Sequence, residues 1–173
     1  GKVTPLTRDF APTVEQVQYH AKGKSFYLLT DNGSRQSLFR LDVKTNKIHA
    51  IDAKEDVVRG FSVASAGNTF YYFGQSLNNA DRLYSLEPSG KSKLVWDISA
   101  EKLRGVKFTP AKDFIYRTPD GVDIDGWYYL PPNFDPTKKY PMIVYYYGGT
   151  LPLRRELETT YDLAMFAAQG YVA

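Results

Sequence analysis

The 173 residues, 22 of them Lys or Arg and 19 Asp or Glu for a net charge of +3, suffice for one domain or pieces of two. No basic run exceeds two residues (Lys138-Lys139, Arg154-Arg155), which argues against a nucleic-acid partner, and the absence of cysteine excludes disulfides, thiolate catalysis and Cys-ligated zinc. With His20 and His49 as the only histidines a three-His metal centre is excluded as well, no cofactor is expected, and no apolar stretch approaches the roughly 20 residues of a membrane-spanning helix.

The 14 Tyr, 10 Phe and 2 Trp come in short alternating clusters separated by Gly, Asn and Asp, which predicts a chain made mostly of sheet. The clusters repeat. Val17-Gln18-Tyr19 and Gly23-Lys24-Ser25-Phe26-Tyr27-Leu28-Leu29 return 44 residues later as Phe61-Ser62-Val63 and Gly67-Asn68-Thr69-Phe70-Tyr71-Tyr72-Phe73. Leu38-Phe39-Arg40-Leu41-Asp42 returns 45 residues later as Leu83-Tyr84-Ser85-Leu86-Glu87, and a Lys-apolar pair recurs at Lys2-Val3, Lys47-Ile48 and Lys93-Leu94. Four short strands per unit, joined by turns at Asp31-Asn32-Gly33, Leu77-Asn78-Asn79 and Ser89-Gly90-Lys91, describe the blade of a β-propeller. Residues 8–98 hold two such blades, preceded by the outer strand of another. Two blades cannot close a ring that typically takes about 4–8, so further blades are expected upstream of Gly1.

Beyond Ile98 the repeat weakens. Arg59-Gly60 recurs at Arg104-Gly105, but the rest of a third blade does not follow. Asp113-Phe114-Ile115-Tyr116-Arg117, the turn Pro119-Asp120-Gly121 and residues 122–130 predict a β-hairpin, which Pro131-Pro132-Asn133-Phe134-Asp135-Pro136 interrupts. Tyr140-Pro141-Met142-Ile143-Val144-Tyr145-Tyr146-Tyr147 is a continuous apolar run, suited to a strand buried on both faces of a parallel or mixed sheet. Thr159 with Asp162 predicts a capping-box start, and Gly170 a C-cap, for a helix whose apolar face includes Leu163, Met165, Phe166 and Ala167. Tyr171-Val172-Ala173 opens another strand. Strand, loop, helix and strand make one α/β unit, so the expected organisation is a partial propeller over 1–98, a linker over 99–112 and the truncated start of an α/β domain over 113–173. A first residue other than Met and a last one inside a strand lead to the expectation of an excised fragment.

The ordered set Asp120-Gly121, Gly126-Trp127-Tyr128-Tyr129-Leu130-Pro131-Pro132-Asn133-Phe134, Lys138-Lys139-Tyr140-Pro141 and Val144-Tyr145-Tyr146-Tyr147-Gly148-Gly149 resembles the entry into the catalytic domain of the prolyl oligopeptidase family of serine peptidases, most closely its dipeptidyl peptidase IV branch. That resemblance implies C-terminal blades of a β-propeller followed by the N-terminal part of an α/β-hydrolase domain, the order inferred above from periodicity. It also implies a peptide substrate, possible homodimers of the full-length protein, and a periplasmic or secreted location.

Acyl transfer by a serine hydrolase needs a nucleophile on a strand-to-helix elbow, a His base, an acid that orients it, and donors aimed at the developing oxyanion. No G-x-S-x-G occurs: Gly60-Phe61-Ser62-Val63 runs into Ala64. The resemblance places Ser, Asp and His beyond Ala173, so the chain alone is expected to be inactive. A tyrosine in a Tyr-Tyr-Tyr strand reads by itself as a packing aromatic, as Tyr145 and Tyr146 do. The resemblance makes Tyr147, directly before Gly148-Gly149, the oxyanion-hole donor, with the two glycines forming the turn that substrate approaches. His20 and His49 are read as surface or packing residues, and Arg59 and Arg104 as a solvated blade edge. Two other functions are compatible with the same residues: a noncatalytic propeller scaffold binding a protein partner, and an acylaminoacyl or ester hydrolase of the same fold.

Overall fold

A computed structural model describes residues 3–64, 69–87, 90–101, 103–106, 109–150 and 153–173; Lys2, Gly67-Asn68 and Ser89 of the sequence repeat and its turns lie outside them. Alternating patterns in the first half build two antiparallel meanders. The first consists of β1 (Thr13–His20), β2 (Ser25–Asn32), β3 (Arg35–Asp42) and the short β4 (Ile48–Ala50). The second consists of β5 (Val57–Val63), β6 (Phe70–Ser76), β7 (Asn79–Leu86) and β8 (Ser92–Asp97). Each strand of the second starts 44 or 45 residues after its counterpart. Even the irregularity repeats: β1 bulges between Val14 and Gln16, and β5 between Val58 and Gly60. These are the two expected blades.

The blades are joined by little backbone pairing. One parallel bridge, Gln36 to Val57, connects β3 and β5, and the Gln36 N–H donates to Asp56 O at 3.1 Å. Side chains hold them. Tyr27, Leu29 and Leu38 from one face of the first blade pack on Phe61, Phe70, Tyr72, Tyr84 and Leu86 from the opposing face of the second. Tyr72 stacks on Tyr84 with centroids 5.1 Å apart, and Tyr27 lies 4.9 Å from Phe70. The Gln18 amide clamps β5 from β1, donating to Phe61 O at 2.9 Å and accepting from the Val63 N–H at 3.1 Å.

At one end of this core lies a buried carboxylate, Glu55. It accepts from Tyr84 Oη at 2.5 Å and Asn79 Nδ2 at 3.4 Å, and faces Arg82 at 3.4 Å. Burying a charge is tolerable only with such partners. The same residue explains Gly74, since a side-chain carbon there would stand 2.9 Å from Glu55 Cβ and 3.3 Å from Val57 O.

The second half begins with the predicted hairpin, β9 (Lys112–Arg117) and β10 (Asp123–Tyr128), turning through Gly121 at φ +87°. Tyr129 and Ala173 then exchange backbone bonds of 2.8 and 3.1 Å. Val172 pairs in parallel on its other side with Met142, its N–H donating to Pro141 O at 2.9 Å and its carbonyl accepting from Ile143 at 2.8 Å. Between the parallel segments runs α1 (Leu163–Ala168). An extended segment, a helix and a second extended segment thus follow in the expected order, joined by one parallel bridge instead of a strand ladder, with Val172-Ala173 seated between Met142 and the end of the hairpin.

Two expectations for this half need correction. The run 140–147 is not buried on both faces: only its first part is paired, and Val144, Tyr146 and Tyr147 are exposed, because beyond Ile143 no bonded neighbour stands beside it among the described residues. The helix is capped by Asp162, not Thr159; the Asp162 carboxylate accepts from the Met165 N–H at 3.0 Å, whereas Thr159 Oγ1 donates to Tyr161 O. Its buried residues are Ala164 and Ala167, while Met165 is half exposed, because the small side chains let the helix settle close on Tyr129, Leu157 and Ala80. Gly170, at φ +97°, stands just past the C-cap as expected.

Candidate functional site

Past Ile143 the chain stays extended and carries Tyr145, Tyr146 and Tyr147 along one wall of a cleft of about 660 Å³. The opposite wall is the β9–β10 hairpin through Phe114, Tyr116 and Ile124, and Gly33-Ser34 from the first blade reaches its edge. Tyr147 is 58 % exposed, and its hydroxyl has no hydrogen-bond partner among the described residues. The ring folds back over Gly149, where any side-chain carbon would collide with the phenol; at Gly148 an added carbon would meet open space. A side chain at 149 would therefore displace the exposed Tyr147 ring from its present place, and Gly148 leaves the backbone uncovered. The three aromatics differ. Tyr145 packs on Tyr161 with centroids 5.1 Å apart, whereas Tyr146 is 84 % exposed and does not fill the packing role its position suggested.

A smaller hollow of about 280 Å³ opens beside Tyr145, bounded by Trp127, Tyr129, Arg154, Glu156 and Tyr161. Burial raises the Glu156 carboxyl above its ordinary value, against the opposing pull of Arg59 and Arg154. Burial also pushes the Tyr129 phenol up to about 12, and its hydroxyl donates to Leu77 O at 2.9 Å on the β6–β7 turn.

The segment after the glycines carries residues that the sequence pattern did not single out. Arg154 Nη2 meets both oxygens of Asp31 at 3.2 and 3.3 Å. Arg155, 9 % exposed, pairs with Asp56 at 3.0 Å and Asp113 at 2.7 Å, and lies over the Trp127 ring. Asp56 also takes Arg35, whose own pKa is lowered by burial and by the adjacent Arg155. No local pattern marks Arg154-Arg155, since their partners Asp31 and Asp56 stand 123 and 99 residues away in sequence. Arg59, its side chain 44 % exposed, pairs with Asp81 of its own blade at 3.4 Å and with Glu158 at 3.7 Å, so the edge it occupies is solvated and also ion-paired. Arg104 is exposed. His20 is buried against Tyr27, and His49 is exposed on β4, as packing and surface residues respectively.

No family model matches the chain. It is 28 % identical over 176 residues to dipeptidyl-peptidase 5 of Porphyromonas gingivalis, covering 99 % of this chain and 25 % of that protein. It is 26 % identical over 156 residues to dipeptidyl peptidase 4 of Trichophyton equinum, covering 86 % of this chain and 20 % of the relative. Its fold matches that of Pyrococcus horikoshii acylaminoacyl peptidase with a TM-score of 0.81 at 20 % identity, over 99 % of this chain and 26 % of the other. Porphyromonas gingivalis dipeptidyl peptidase 4 gives a TM-score of 0.69 at 15 % identity, over 93 % and 24 %. The chain thus spans about a quarter of the length of these proteins.

Proposed function

Because the chain's homologues are dipeptidyl peptidases and its structural neighbours are peptidases of the prolyl oligopeptidase family, we propose that it is the propeller-to-hydrolase segment of a serine peptidase cleaving short peptides through an acyl-enzyme. The observation that carries this reading is the solvent-facing phenol of Tyr147 on the wall of the cleft, folded over Gly149. In acyl transfer negative charge develops on the carbonyl oxygen of the scissile bond, and a donor already aimed there stabilises the transition state more than the ground state. Tyr147 supplies one such bond. The nucleophile, its base and the orienting acid belong to chain beyond Ala173, so this segment contributes positioning and oxyanion stabilisation.

Labelling the full-length protein with a fluorophosphonate tests the reading. One modified serine in a Gly-flanked elbow outside these 173 residues is expected, and Tyr147→Phe should then lower kcat by about 10²–10³ with little change in KM. Absence of labelling in a folded full-length protein overturns the peptidase and leaves a propeller scaffold.

A further inference from the structure

We propose that the hollow beside Tyr145 is a subsite for a basic side chain of the peptide substrate, an inference that rests on the peptidase reading above. At about 280 Å³ it falls below the roughly 300–1,000 Å³ of pockets that enclose a whole small ligand, and it suits a single side chain. It also adjoins the right place, because Trp127, Tyr145 and Leu153 line both this hollow and the cleft that carries Tyr147. In an extended chain two residues span about 6–7 Å, so a substrate side chain one or two residues from a carbonyl held at Tyr147 comes within reach of Tyr145.

The lining selects for positive charge. Four aromatic residues, Trp127, Tyr129, Tyr145 and Tyr161, border the hollow together with Glu156 and Glu158. Ring faces attract cations, and Trp127 already carries the Arg155 guanidinium 5.6 Å from its centroid. The charged groups differ in what answers them. Glu158 has Arg59 at 3.7 Å, and Arg154, which also lines the hollow, is held by both oxygens of Asp31 at 3.2 and 3.3 Å. Glu156 has no such partner among the described residues: burial and the charges of Arg59, Arg154, Asp81 and Glu158 act on its carboxyl, and no hydrogen bond does. A carboxylate withdrawn from water without a close cation is costly, and an ammonium or guanidinium entering beside the rings supplies one. A neutral side chain supplies none, and an acidic one adds repulsion.

The test uses the full-length protein and fluorogenic peptides that carry lysine, norleucine or glutamate at each position in turn. At one position lysine is expected to exceed norleucine about 10- to 30-fold in kcat/KM, with glutamate the poorest of the three. Glu156→Gln should bring the lysine-to-norleucine ratio at that position below about threefold. Tyr161→Leu, which removes a ring already 54 % exposed and keeps the carboxyl, should lower the same ratio and serves where Glu156→Gln does not fold. Ratios near one at every position in an active wild type overturn the subsite and leave the peptidase reading standing. A lysine preference that neither substitution alters overturns it too, as does a Glu156-dependent discrimination between free and N-acetylated peptides that ignores the side chain. A wild type that cleaves no peptide overturns the peptidase reading and this proposal with it.

Discussion

Three tyrosines are kept neutral well into the alkaline range by where their hydroxyls sit. Burial raises Tyr72, Tyr84 and Tyr129; Tyr84 is raised further by donating to Glu55, and Tyr129 by the charge of Asp162. An unfolded tyrosine ionises near 10, so between that value and the folded one the unfolded chain has lost protons that the native state retains. Stability is therefore at full strength below about pH 10 and falls as pH climbs through the native value, which for Tyr129 is about 12. Urea midpoints measured at steps from pH 9 to 11.5 should decline from pH 10 upward, more steeply in wild type than in Tyr129→Phe. A midpoint that stays flat to pH 11.5 contradicts burial as the cause. None of this was visible in a composition of 14 tyrosines, because burial distinguishes Tyr129 from the exposed Tyr146 and local sequence does not.

Local chemistry governs the elements. The two-residue hairpin loops at Gly33-Ser34 and Leu77-Asn78 occur where turn residues interrupt alternating runs, so blade strands and their order were legible in advance. Helix α1 was harder. Six residues are too few to be stable alone, and the helix persists because Ala164 and Ala167 pack under Tyr129 and Leu157 while Asp162 satisfies an otherwise unpaired N–H. Thr159 offered an equally good cap on paper; Asp162 takes the role because the helix begins only at Leu163. Asp162→Ala should cost about 1 kcal/mol in urea denaturation, with Thr159→Ala having less than half that effect. Equal losses from both would restore Thr159 as the cap.

At the scale of the molecule, the repeat has an energetic consequence. Tyr27 and Leu29 of the first blade pack at the interface with the second, one partly and the other fully buried, whereas their counterparts 44 residues on, Tyr71 and Phe73, are each 43 % exposed beside Trp96. The outer face of the second blade thus has the character of a blade interface without a blade upon it. Apolar strand faces of this kind drive association. The isolated 173-residue chain should sediment as a mixture of oligomers, and Phe73→Lys with Trp96→Lys should shift it toward monomer without lowering its melting temperature. A monomeric wild-type chain contradicts this. What the sequence by itself determined is the local and the periodic: strand alternation, turns, two blades and the change of pattern after Ile98. All of these depend on neighbours close in the chain or on a fixed repeat. Tertiary structure alone decided which side chains meet across the two halves: Glu55 with Tyr84, Tyr129 with the Leu77 carbonyl, and Arg155 with Asp56 and Asp113. Those pairings follow from burial and charge compensation between segments up to 99 residues apart, a constraint that exists only once the blades and the α/β part have come together.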